Sequence, residues 1–155
     1  MIKNIMLIRK ILKSDIKNCA ELYKEIFNQS LWEESWTYEE ANNRLNYIFE
    51  SKGFVGFIAT YENLIWGFVL GNIEPYTKGN AFYLREMCVK TQKQNKGIGK
   101  ELISHLHHEL KNLKIVRSYL ITQQNSPASD FYLRNGYFYQ KEDGVYESFF
   151  LIKNS

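Results

Sequence analysis

Apolar residues along the chain switch between two spacings, one suited to helices and one to strands. Met6 to Lys10 is short and apolar and predicts a first strand. Ile16, Cys19, Ala20, Tyr23, Ile26 and Phe27 then recur on one helical face, with Ser14 placed to cap it. After the turn-like stretch QSLWEESW, Thr37 and Glu40 form a T-x-x-E capping box that opens a second helix through Ala41, Leu45 and Ile48, ended by Gly53. The segments GFVGFIATY and LIWGFVLGNIE are rich in β-branched and aromatic residues and flank Glu62-Asn63, which predicts an antiparallel hairpin. Ala81 to Val89 reads as the next strand, following turn residues from Pro75 to Asn80.

The strongest helical signal starts at Ile98, where Leu102, Leu106 and Leu110 repeat every four residues with Ile103 and Leu113 beside them. A strand IVRSYLIT follows. Ser126-Pro127 then supplies an N-cap with proline in the first turn, and the helix from Ala128 stops at Asn135-Gly136. Two final strands, near Tyr137 to Glu142 and Val145 to Lys153, turn at Asp143-Gly144. The predicted order is βααβββαβαββ: an α/β (α+β) fold with a mixed, mostly antiparallel sheet flanked by about four helices. No repeat, low-complexity tract or linker divides it, so residues 1–155 are expected to form a single domain.

Composition narrows the function. Twenty Lys and Arg against seventeen Asp and Glu give a net charge of +3, without the strongly basic field of a duplex-binding protein. Cys19 and Cys88 lie far apart with no Cys or His at metal spacing, so neither a zinc site nor a disulfide framework is indicated, and a reduced, cytoplasmic setting is expected. His105, His107 and His108 share one helix without a second ligand cluster, so no metal is expected. The N-terminal apolar stretch is broken by Lys3, Arg9 and Lys10 and lacks the long core of a signal peptide. No segment is long and apolar enough to span a bilayer, so no membrane partner is expected.

Chemistry concentrates where the third long strand meets the long helix, at Gln94-Asn95-Lys96-Gly97-Ile98-Gly99. Such a loop points free backbone N–H groups out of a helix N-terminus, where unpaired donors and the helix dipole favour an anion such as pyrophosphate. Lys90, Lys93, Lys96 and Lys100 surround it with no acid between Glu86 and Glu101; the lysines are either a field for a phosphate-rich ligand or a solvated face. A Walker loop is absent, and the dinucleotide fingerprint fails because Leu102 stands where its third glycine belongs.

Gln94-x-x-Gly97-x-Gly99 between a strand and an amphipathic helix resembles the [QR]-x-x-G-x-[GA] signature of the GNAT acetyltransferases. Asn125, Ala128, Phe131, Tyr132, Asn135, Gly136 and Tyr137 resemble that family's second motif, and the element order also agrees, so the resemblance covers nearly the whole chain. It implies an N-acetyltransferase using acetyl-CoA without a metal, in which residues 94–100 (Gln94, Asn95, Lys96, Gly97, Ile98, Gly99, Lys100) cradle the coenzyme A pyrophosphate. The strand end Met87-Cys88-Val89 would offer backbone groups to the pantetheine arm and an N–H to the thioester carbonyl. Asn125 would bond the coenzyme arm, and Tyr132 would protonate the departing thiolate.

Several of these residues carry two readings. Glu86 is either the base that deprotonates the acceptor ammonium or a strand carboxylate paired with Arg85 or a lysine. Tyr132 is either the acid or a packing residue, and Cys88 reads as a small buried residue rather than a nucleophile. The first two helices and their connection hold Trp32, Glu33, Glu34, Trp36, Tyr38, Glu39 and Glu40. The resemblance implies that these elements line the acceptor pocket, where Trp32, Glu33, Trp36 and Glu86 would suit a cationic amine such as a polyamine or aminoglycoside, with a protein amine a further candidate. Alternatively the acids only favour the helix N-terminus. The expected protein is a monomer or homodimer without a nucleic-acid partner, and a non-catalytic acyl-CoA sensor is the alternative function.

Overall fold

A computed structural model describes residues 6–29, 34–94 and 96–150. Its elements follow the predicted order: β1 (Leu7–Lys10), α1 (Ile16–Phe27), α2 (Tyr38–Phe49), β2 (Phe54–Tyr61), β3 (Leu64–Glu74), β4 (Ala81–Val89), α3 (Ile98–Asn112), β5 (Arg117–Leu120), α4 (Pro127–Arg134), β6 (Phe138–Gln140) and β7 (Val145–Phe149). The strands form a seven-stranded sheet in the order β1-β2-β3-β4-β5-β7-β6, antiparallel except where β4 meets β5.

Alternation along the central strands sends side chains to both faces of the sheet. Phe57, Val69, Phe82 and Leu84 join Leu102, Leu106 and Leu110 of α3 in one core, which also takes in Tyr132 of α4. Ile58, Phe68, Leu70 and Cys88 join Ile16, Cys19 and Tyr23 of α1 and Leu45 and Ile48 of α2 in the other. The near-continuous apolar runs of β2 and β3 reflect this covering on both sides.

Local chemistry places the element ends. Glu62 and Asn63 take φ values of 50° and 64°, the left-handed pair that joins β2 to β3 in a tight hairpin. Thr37 accepts from the Glu40 amide and Glu40 accepts from the Thr37 amide, both at 3.0 Å, as the capping box requires. Ser126 caps α4 by accepting from the Ser129 amide at 3.1 Å. Ser14 differs from expectation: it lies within a single tight turn, Lys13–Asp15, that precedes α1. Asp15 stands at the N-cap position of α1 without a side-chain cap bond; its carboxylate instead closes the preceding turn by accepting from the Leu12 amide at 2.7 Å, and pairs with Arg9, which holds its carboxyl below the usual range. Gly53 lies beyond the end of α2, which closes at Glu50.

Two irregularities open the sheet. In the β3–β4 ladder Leu70 pairs with Glu86 and Gly71 with Leu84, leaving Arg85 as an extra residue, a bulge that resets the alternation. Phe82 and Leu84 before it, and Met87 and Val89 after it, all pack on the α3 side, while Cys88 packs against α1 and α2. On its other edge β4 pairs with β5 only from Ala81 to Tyr83. Backbone groups on that edge from Leu84 to Val89 therefore face no neighbouring strand.

The α3 core contains one buried polar chain. Tyr137 bonds Ser118 Oγ at 2.8 Å and His107 Nε2 at 3.0 Å, and burial, with Lys111 nearby, lowers the His107 pKa to about 4. An unfolded histidine titrates near 6.5, so between the two values the unfolded chain binds the extra proton. Stability is complete above about pH 6.5 and falls as the pH drops towards 4, by at most about 3 kcal/mol from this group. Denaturant unfolding across that window should show the decline, and His107→Gln should flatten it; an unchanged slope would contradict the assignment.

Candidate active site

The open edge of β4, the loop after it and the start of α3 form one wall of a cleft of about 800 Å³, and α4 forms the other. Gly97 caps α3 with φ 83°, a left-handed conformation that side-chain-bearing residues rarely adopt. The first amide drawn into the helix ladder is that of Glu101, to the Gly97 carbonyl at 2.9 Å. The amides of Ile98, Gly99 and Lys100 come before it and have no intrahelical acceptor. Gly99 lacks a side chain for a different reason, since a Cβ there would stand 3.0 Å from the Phe131 ring. The glycines thus set the backbone turn and let α3 approach α4 closely.

Met87, Val89, Gln94, Gly97, Gly99, Lys100 and Tyr132 line the cleft, so the structure brings together most of the residues expected around a phosphate-bearing ligand. Gln94 also staples the loop, donating from Nε2 to the Val89 carbonyl at 3.0 Å. Four expected residues do not line it. Ile98 turns into the α3 core, Cys88 is buried against α1 and α2, and Lys96 and Asn125 are exposed outside it. Asn125 takes a left-handed φ of 54° in the turn before Ser126. Asn95, Trp32 and Glu33 lie outside the described residues. Among the cations, Lys93 sits with its ammonium 4.3 Å above the Trp66 ring, while Lys100 and Arg134 reach the cleft alongside Asp130.

Tyr132 lines the cleft and is buried. Burial first, then Tyr137, Cys88 and Glu86, raise its pKa above that of a free phenol, so its hydroxyl keeps its proton. Among the described residues that hydroxyl makes no hydrogen bond. The Cys88 thiol is also pushed up by burial and stays neutral.

On the opposite face Glu86 points towards α1 and α2. Its Oε1 accepts from Tyr23 Oη at 3.1 Å and from Arg44 Nε at 3.2 Å, and Arg44 Nη2 lies 3.2 Å away. The expected pairing with Arg85 or a lysine is thus replaced by Arg44, because the bulge turns Arg85 aside to lie 5.0 Å from the Tyr83 ring centre. Burial raises the Glu86 pKa, while Arg44 and Tyr23 oppose the rise. Trp36 packs edge-on against Tyr23 with ring centres 4.9 Å apart and donates from Nε1 to Glu34 at 2.7 Å.

Sequence reading did not single out Arg44, Gln29, Asp130 or Arg134. Arg44 sits next to Leu45 at the margin of α2's buried stripe, and that position was its only visible signal. Gln29, which lines the cleft, donates to Thr91 Oγ1 at 2.8 Å and ties the end of α1 to the loop, a contact far apart in sequence.

The acetyltransferase (GNAT) domain family matches residues 52–138. No curated protein sequence matches the chain. Among solved structures, PaiA N-acetyltransferase from Thermoplasma acidophilum in complex with coenzyme A is similar over 94% of this chain and 99% of its own, at 22% identity and a TM-score of 0.74. Aminoglycoside N-acetyltransferase AAC(6')-Iy in complex with CoA is similar over 86% and 87%, at 18% identity and a TM-score of 0.63. The aminoglycoside acetyltransferase meta-AAC0020, from an uncultured soil metagenomic sample and in complex with sisomicin, covers 84% and 86%, at 19% identity and a TM-score of 0.66. Among the described residues no helix is long and apolar enough to cross a membrane, and no three metal-ligating side chains gather.

If left-handed geometry is the reason for Gly97, Gly97→Val should cost about 1–2 kcal/mol, although nothing lies within 4 Å of a Cβ there. Gly97→Asn should cost less, because asparagine tolerates this region. Equal unfolding midpoints for the two variants in thermal melts would contradict the backbone account.

Proposed function

The chain belongs to the GNAT acetyltransferase family, and from that premise we propose that residues 1–155 act as one N-acetyltransferase domain that moves acetyl from acetyl-CoA to a primary amine by direct attack. The observation that carries this reading is the pairing, in one cleft, of an unpaired helix N-terminus with a buried, protonated tyrosine. The cleft fits coenzyme A: free amides and Lys100 and Arg134 suit the diphosphate, and the unpaired edge of β4 suits the amide groups of the pantetheine arm. Acetyl-CoA supplies an activated acetyl thioester.

The chain's residues divide the remaining work. Backbone N–H groups in the Met87–Val89 stretch polarise the thioester carbonyl. Glu86 takes the proton that the acceptor ammonium must lose before its nitrogen can attack, directly or through one water. Tyr132 Oη delivers a proton to the departing sulfur, a task suited to a phenol that burial keeps protonated. Attack by the amine itself, rather than through an acyl-enzyme, agrees with the neutral, buried state of Cys88.

The acceptor reading follows from Trp36, Tyr23 and Glu34, where two aromatic rings and a carboxylate stand together. Such a group suits a cationic small-molecule amine, with a cation–π contribution of about 0.5–2 kcal/mol. The aminoglycoside acetyltransferases among the similar structures support this class.

Thiol release from acetyl-CoA in the presence of a panel of primary amines tests the proposal. Turnover is expected, with cationic amines above neutral or anionic ones. Tyr132→Phe should lower kcat by about 10²-fold while CoA affinity stays at the wild-type value. Binding of CoA without thiol release from any amine would favour an acyl-CoA sensor instead, and full activity in Tyr132→Phe would remove the tyrosine from the chemistry.

A further inference from the structure

The two oxygens of Glu86 are unequally served. Oε1 accepts from Tyr23 Oη at 3.1 Å and from Arg44 Nε at 3.2 Å, and the Arg44 Nη2 charge lies 3.2 Å from the same oxygen. Among the described residues no donor reaches Oε2, yet it is not one of the sealed, unpartnered polar atoms. The Glu86 side chain keeps 13% of its exposure. One oxygen is thus tied to α1 and α2, and the other keeps contact with solvent.

We propose that Arg44 and Tyr23 are positioning residues for proton transfer, anchoring Oε1 of Glu86 so that Oε2 is the atom that takes the proton from the acceptor ammonium. The inference rests on the assignment of Glu86 as the base. In the step, an N–H bond of the ammonium breaks and its electron pair stays on nitrogen, while an O–H bond forms at Oε2. The proton passes to water when the carboxyl ionises again.

Physical chemistry requires such anchors. A carboxylate this buried loses hydration, and the loss favours its neutral form, which already carries a proton and is far too weak a base to take another from an ammonium. Arg44 adds an opposite charge and Tyr23 a hydrogen bond, and both favour the ionised form. Tyr23 is a dependable donor, because burial and the Glu86 carboxylate hold its own proton on. The other groups that bear on this site are Glu34 on the α1–α2 connection, which disfavours the charge on Glu86, and the neutral Cys88 and Tyr132. Two hydrogen bonds and an ion-pair contact converging on one oxygen also limit rotation of the carboxylate about its last bond. The arrangement makes α1 and α2 part of the proton-transfer geometry as well as the acceptor wall.

The full chain with 13C-labelled glutamate carboxylates allows Glu86 to be titrated by NMR, its signal assigned through Glu86→Gln. Arg44→Gln should raise its midpoint by about one pH unit or more, Tyr23→Phe should raise it by less, and Arg44→Lys should restore much of the wild-type value. The acid limb of kcat/KM against pH, measured with acetyl-CoA and the best amine of the panel, should move up by the same amount in each variant. Tyr23→Phe removes one oxygen and keeps the ring packing, so it carries the test if Arg44→Gln does not fold. An unchanged or lowered Glu86 midpoint in folded variants would overturn the proposal. A midpoint that rises while the rate limb stays fixed would support the anchoring and overturn Glu86 as the base.

Discussion

Parallel pairing between β4 and β5 stops after Tyr83, and the functional architecture depends on that short contact. A continuous ladder would satisfy every backbone group along β4 and bury the strand between neighbours. Instead β4 continues to Val89 with β3 as its one strand partner among the described residues, then turns through the Gln94 staple into α3. The free strand edge and the free helix N-terminus lie next to each other because they belong to one connection. Both expose backbone donors, and α4 covers them from the far side without closing the gap. The cost of leaving such groups unpaired is tolerable where water or a ligand can reach them.

The Arg85 bulge works on the same strand. By resetting the alternation it keeps Met87 and Val89 at the cleft and sends Glu86 and Cys88 to the α1 and α2 side. The cleft and the Tyr23–Glu86–Arg44 cluster thus lie on opposite faces of one strand. Arg44 and Tyr23 reach Glu86 because α1 and α2 cover this face, and the Thr37 capping box fixes where α2 begins.

Much of this was legible in the sequence because the signals were local. The element order, the Glu62-Asn63 hairpin, the Thr37 box, the Ser126 cap and the glycine loop each depend on a few neighbouring residues, and the structure has them where expected. What escaped was non-local or depended on side-chain direction. Nothing in the chain's order announces that Arg44 meets Glu86, or that Arg85, adjacent to Glu86, lies instead beside Tyr83. Asn125 shows the converse: its place in a motif was clear, but its left-handed turn leaves it exposed outside the cleft lining. Residue type points to Ser14 as a cap, but it lies inside the tight turn before α1, where Asp15 bonds the Leu12 amide with a charged oxygen and is itself held by Arg9.

The central claim is that main-chain amides, more than side chains, grip the coenzyme. Amide hydrogen exchange with and without coenzyme A measures this directly. The account predicts slowed exchange at the β4 amides between Met87 and Val89 and at Ile98, Gly99 and Lys100, with little change in the α1 and α2 interiors. Exchange left unaltered at both segments under saturating coenzyme A, or protection confined to another surface, would contradict it.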